Sequence, residues 1–369
     1  MTRARVLALV CLFLFFLPML VTPAAALSLD ELLPDLLEAM PEGPQKELSE
    51  YTDPLAAGEL LGLERLFSLL GGALRDGIGA SLSLFGRLLA AVIFSVVLSL
   101  FSEHLDARAA AAAECGIAAV LAVTVFSVVR ADMTLVEGTL ADMRRLSDAL
   151  IPLFATLFAS GGSAGTGVAA ASGFAGFSYL LTHVLGALLS PLLYFLVGLL
   201  GVSVLGTDRV SHGLFRTLRG LYLTVVLFLS VLLVTSLGFQ TTLSASADSL
   251  AAGSVRFAVG NLIPIVGGTL GGSLRTLASS LSLIRSTLGT LTLAALLLSV
   301  LPVLVSLLLH RLFLSLASDL SDMLGASRAS RILVGFRGIY DIAAATLSVA
   351  LVLFFLILGI LCHTRAALG

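Results

Sequence analysis

Charge is scarce in this chain. Only 12% of its 369 residues are Asp, Glu, Lys or Arg, about half the ~25% of ordinary soluble domains. A water-facing surface around a chain of this length needs more, so a single soluble globular domain is excluded. Tryptophan is absent, so any interfacial aromatic belt rests on five Tyr and part of the Phe. Lysine occurs once, at Lys46 between Gln45 and Glu47, so no G-x-x-x-x-G-K-[ST] phosphate loop is possible. No HExxH occurs. The three cysteines, Cys11, Cys115 and Cys362, have no C-x-x-C spacing and suggest neither a disulfide framework nor a zinc site. The net charge of −2 lacks the basic surplus of a nucleic-acid binder.

What the chain has instead is apolar mass. Apolar residues make up 58% of it, and the mean hydropathy is +1.08. Lipid must be part of its solvent. The fold class expected is all-α: a polytopic helical membrane protein of six to seven spans, following an N-terminal signal peptide.

The amino terminus carries the signal pattern. Arg3 and Arg5 precede the apolar run Val6–Leu20, and Ala24-Ala25-Ala26 offers an A-x-A cleavage site, with Ala24 and Ala26 as its small residues. Residues 1–26 are read as the signal peptide. Residues 27–77 are acidic and broken by Pro34, Pro41, Pro44 and Pro54. They read as an extracytoplasmic segment, either a solvated tail or a docking surface for a partner. Residues 78–369 form the membrane domain.

Gaps between charges mark the spans, since ~20 residues rise ~30 Å as a helix. Asp341 to Arg365 leaves 23 uncharged residues, Arg285 to Arg311 leaves 25, and Arg219 to Asp248 leaves 28. Asp148 to Asp208 leaves 59, in which Phe177–Leu205 reads as a span bent near Pro191. Ile151–Ser172, with Pro152 and a glycine-rich run at 161–167, reads as a re-entrant element or a seventh span. Leu82–Phe101 and Ala109–Val129 complete the set only by including Arg87 and Glu114. With six spans, segments 102–108, 206–220 and 311–340 face the cytoplasm. Segments 27–77, 130–150, 239–287 and 363–369 face outward, and Arg density favours this orientation.

Three intramembrane polar residues stand out. Arg87 and Glu114 are snorkelling or structural, or else conducting. His183 is a packing histidine or part of a proton or substrate path. Ser160-Gly161-Gly162-Ser163 with His183 as base is too thin for a serine protease. No ordered set of catalytic, metal-ligating or cofactor-binding groups appears, so neither an enzyme nor a cofactor is expected.

The run from Arg256 to Gly272 is richer in pattern. Asn261 and Pro264 precede Gly267, Gly268, Gly271 and Gly272, whose four-residue spacings open a side-chain-free groove on a helix. The run reads as an interfacial connector or as a re-entrant packing or pore-lining element. Arg256–Leu270 also resembles the hallmark of the stage III sporulation protein AE family. Its setting agrees: Leu214–Gly220 with Arg216 and Arg219, the span Leu221–Leu237, Gly238-Phe239-Gln240, and Asp319-Leu320-Ser321-Asp322 between the last two spans.

The resemblance covers roughly residues 27–362. It implies a multi-pass protein of the mother-cell membrane surrounding the forespore. It implies partnership with the other subunits of the stage III sporulation A complex and with a forespore partner, and a role in their channel or secretion-like apparatus. A homo-oligomer is possible within such an assembly. A self-sufficient secondary transporter or permease is the competing reading, for which glycine interruptions at 161–167 and 267–272 are the only hint of two repeated halves.

Overall fold

The computed structural model describes residues 63–102, 107–160, 163–204, 208–262 and 267–363. The described residues form seven α-helices and a π-helical turn, with no strand among them. The helices are α1 (Leu63–Ser102), α2 (Ala107–Ser160), α3 (Ala164–Leu180), α4 (Ala187–Val204), α5 (Asp208–Leu262), α6 (Gly267–Met323) and α7 (Ser327–His363). The π-turn, Leu181–Gly186, joins α3 to α4 without a break. Six stretches are long and apolar enough to cross a membrane: Gly71–Phe94, Ala119–Ser160, Ala164–Leu200, Gly213–Ala251, Leu288–Met323 and Ala329–Cys362. Helix is the natural state of such stretches, because it satisfies each backbone N–H and C=O within the segment.

Several helices exceed the thickness of a bilayer. The 54 residues of α2 rise about 80 Å. Segment 130–150, expected to face outward, lies in the interior of α2. Periodicity explains the difference. Val129, Met133, Val136, Leu140, Met143, Ser147, Leu150, Phe154 and Leu157 are all buried. They recur at alternating spacings of three and four, the pattern of a helix seam. The charges of this segment occupy the other positions, so counting charges alone hid a continuous helix.

Ile151–Ser172 is not a single helix. Its first part ends α2 and its last part begins α3, and the two helices pack against one another as a hairpin. Among the described residues, six stretches are long and apolar enough to span. Segment 239–287 is likewise helical up to Leu262 and again from Gly267.

The core lies where α2, α3, α6 and α7 meet. Phe174 is the centre of an aromatic cluster. Its ring lies 5.4 Å from Phe154 and 6.0 Å from Phe354, and Phe354 meets Phe177 edge-on at 5.2 Å. Such offset pairs suit the ring quadrupole. On the other side of α3, Gly173 and Gly176 let α5 approach. A Cβ at either would come within 2.6 Å of Leu237 or 2.8 Å of Leu233.

Two end structures fix the register. At the α2–α3 tip, the Asp248 carboxylate of α5 accepts three hydrogen bonds: from the Gly165 N–H (3.1 Å), the Thr166 N–H (2.8 Å) and the Thr166 hydroxyl (2.8 Å). A negative side chain from another helix thus caps the orphan donors that begin α3. Between α6 and α7, Gly325 adopts φ +80°. The Ala326 N–H donates to the Ser321 carbonyl and the Gly325 N–H to that of Asp322. This is a Schellman ending, in which glycine takes the left-handed position.

Candidate functional site

Four helices converge on one buried polar layer. Asp132 of α2 is 5% exposed, His310 of α6 is 6% exposed, and Tyr340 of α7 is fully buried. One oxygen of Asp132, Oδ2, lies 2.8 Å from His310 Nδ1 and accepts from the Tyr340 hydroxyl at 2.6 Å. With Asp132 ionised, the carboxylate only accepts, so Nδ1 of His310 carries the proton. The His310 and Tyr340 rings meet edge-on at 5.9 Å, and each holds the other in position for the carboxylate.

The next residue along α6 and along α7 continues the layer. Asp341 accepts from Arg311 Nε through Oδ1, and its Oδ2 lies 3.1 Å from Arg219 Nη1 of α5. One carboxylate thereby holds two guanidiniums from two other helices. The layer contains two carboxylates and two guanidiniums, so it is neutral when His310 is neutral. Arg337 donates to the Ser315 hydroxyl at 3.1 Å, and Tyr222 and Thr346 share a hydrogen bond of 3.1 Å. In a low-dielectric interior such pairing is a condition for keeping charge at all.

Arg219, Arg311 and Asp341 are the residues that close three of the uncharged runs in the sequence. The structure brings these closures together at one level of α5, α6 and α7. The apolar parts of three helices are thereby aligned, and Asp132 ties α2 to the same level. The arrangement is suited to holding four helices rigidly.

The residues singled out from the sequence lie elsewhere. Arg87 is exposed on α1 and reaches the Ser83 hydroxyl at 3.4 Å. His183 faces outward from the π-turn, its ring 4.4 Å from that of Tyr179. Glu114 belongs to α2, but its side chain lies outside the described residues. Asn261 sits in the last turn of α5, and Gly267, Gly268, Gly271 and Gly272 open α6. Pro264, Ala24 and Ala26 lie outside the described residues.

Asp132, His310 and Tyr340 do not stand out in the linear sequence. One signal was present. The residue beginning the α5 run and the residue ending the α6 run are arginines and the residue beginning the α7 run is an aspartate, an opposite-sign set at one membrane face. Asp132 carried its own signal, being flanked by the buried seam of α2.

Fold and buried layer together define a polytopic helical membrane protein whose spans are cross-tied by paired charges. The family model for stage III sporulation protein AE matches residues 47–365. The chain belongs to that family, and membership implies a role in stage III of sporulation. No curated protein and no solved structure matches the chain.

Proposed function

We propose that the chain is a membrane subunit of the sporulation-specific channel or secretion-like complex that joins mother cell and forespore. It sits in the mother-cell membrane around the forespore, beside the other subunits of the stage III sporulation A complex and their forespore partner, and catalyses no reaction itself. The observation that carries this reading is the family match across residues 47–365, made by a chain with six apolar helices. The buried layer supports it. A secondary transporter acting alone works by rocking one repeat against the other, whereas Asp132 and Asp341 tie α2 and α5 to α6 and α7. Such cross-ties suit a subunit of fixed shape.

The test is recovery of the tagged full-length chain from sporulating cells in detergent. Co-purification of other stage III A subunits is expected, together with arrest of a deletion strain after engulfment. A strain that sporulates normally without the gene would sink the proposal. Solute flux into liposomes holding this chain alone would favour the transporter.

A further inference from the structure

One face of α2 does not match its surroundings. Glu137, Asp142, Arg144, Arg145 and Asp148 occur within twelve residues, on the side away from the buried seam. Arg144, Arg145 and Asp148 are widely exposed, with side chains 52%, 74% and 47% accessible. Arg144 lies 3.4 Å from Asp148, and Arg145 lies 3.6 Å from Asp142. Across from them stands the π-turn. Together, Glu137, Arg144, Arg145, Asp148, Thr182 and Gly186 line much of a cleft of about 350 Å³. Glu137 also accepts from the Ser190 hydroxyl of α4. A π-turn inserts one extra residue into a helix and often marks a functional position.

The depth of this cleft follows from contacts on either side of it. Asp132 meets Tyr340 of α7. Further along α2, Phe154 meets Phe174, which meets Phe354 of α7. The charged residues 142–148 fall between these two levels. They therefore lie at the depth of residues 342–353 of α7, Ile-Ala-Ala-Ala-Thr-Leu-Ser-Val-Ala-Leu-Val-Leu, which contain no charge. The exposed face of α5 at this depth is apolar: Leu227, Phe228, Val231 and Leu232. That face suits lipid. An ionised group facing hydrocarbon is costly. The arginines can extend toward an interface, but Asp142 and Asp148, with one methylene each, cannot.

From this mismatch we infer that the α2 cleft is filled with water and forms one wall of a hydrophilic path across the membrane. Its two guanidiniums and two carboxylates suit small hydrated solutes and not a polyanion. The inference deepens the channel reading and rests on it only for the purpose of the path; the hydration of the cleft is tested separately.

The test uses thiol accessibility in the full chain, with Cys11, Cys115 and Cys362 replaced by alanine. Ala141→Cys and Thr182→Cys place a thiol on each wall of the cleft. Val231→Cys is the depth-matched control, because it lies between Tyr222, bonded to Thr346, and Leu237, packed on Gly173. Each variant is checked for a monodisperse gel-filtration profile. A membrane-impermeant charged methanethiosulfonate is applied to membrane vesicles. Thiols react as thiolates, which need water, so both cleft positions are expected to label about tenfold or more faster than Val231→Cys. Equal rates at Ala141→Cys and Val231→Cys, whether both slow or both fast, overturn the inference. Rapid labelling in a chain that fails to co-purify with stage III A subunits leaves the water-filled cleft standing and removes the channel reading alone.

Discussion

Removing the Asp341 carboxylate is the sharpest probe of the polar layer. In Asp341→Ala, Arg219 and Arg311 lose their shared partner, and two guanidiniums remain facing each other in a mostly buried site. Breaking a buried pair by deleting one partner costs about 3–5 kcal/mol. The Arg219 and Arg311 side chains retain 20% and 24% exposure, against 11% for Asp341. That partial exposure puts the expected loss at the lower end, about 3 kcal/mol.

The comparison that isolates the mechanism is the triple variant Arg219→Leu, Arg311→Leu, Asp341→Ala. It leaves no uncompensated charge, and replacing a whole buried ion set by apolar groups is often neutral or stabilising. The triple variant is therefore expected to recover at least half of the loss of Asp341→Ala. Reversible unfolding of the purified chain in mixed micelles measures both. If Asp341→Ala costs under about 1 kcal/mol, the level of an exposed pair, or if the triple variant is less stable than the single one, the layer does not hold the helices as argued.

Tyr340→Phe removes one donor to Asp132 and is expected to cost about 1–3 kcal/mol, whereas Asp132→Ala orphans both donors and costs roughly twice that; the same unfolding assay ranks them. Asp248→Ala strips three hydrogen bonds from the start of α3, a loss of about 1–2 kcal/mol by analogy with helix capping, and hydrogen exchange at Gly165 and Thr166 should quicken. Gly335→Val drives a side chain into Leu200, the group nearest the added Cβ, and should lower stability by about 1–3 kcal/mol. Gly138→Ala, with nothing within 4 Å of the new Cβ, should cost nothing measurable or stabilise α2 by up to about 1 kcal/mol. Gly325→Ala forces a Cβ into the left-handed region at φ +80° and should cost about 1 kcal/mol, read as a lower unfolding midpoint.

Much of the architecture is legible in the sequence for a simple reason. Burying charge in lipid is so unfavourable that uncharged runs of more than twenty residues have few other uses. The last three spans follow directly from the positions of Arg219, Asp248, Arg285, Arg311, Asp341 and Arg365. The same rule fails on α2, where Arg130, Glu137, Asp142, Arg144, Arg145 and Asp148 suggest a loop. There the seam from Val129 to Leu157 carries the structural information, and the charges mark a face turned away from the core. Arg87 and His183 drew notice because they interrupt apolar runs, yet both face outward. The residues with buried partners, Asp132 and His310, sit beside other charges and look ordinary in a linear reading.

Composition, spacing and the charge gaps determined that this chain is helical, belongs in a membrane and crosses it about six times, because hydrocarbon penalises charge and unpaired backbone without regard to fold. The Arg256–Leu270 run pointed to the family from the sequence as well. Which charges meet was decided only in three dimensions. Asp132, His310 and Tyr340 are 178 and 208 residues apart along the chain, and their pairing depends on the relative depth and rotation of three helices, which local sequence does not set. The cleft on α2 has the same origin: its charges are visible in the sequence, but their depth, level with an apolar stretch of α7, exists only once the helices are packed.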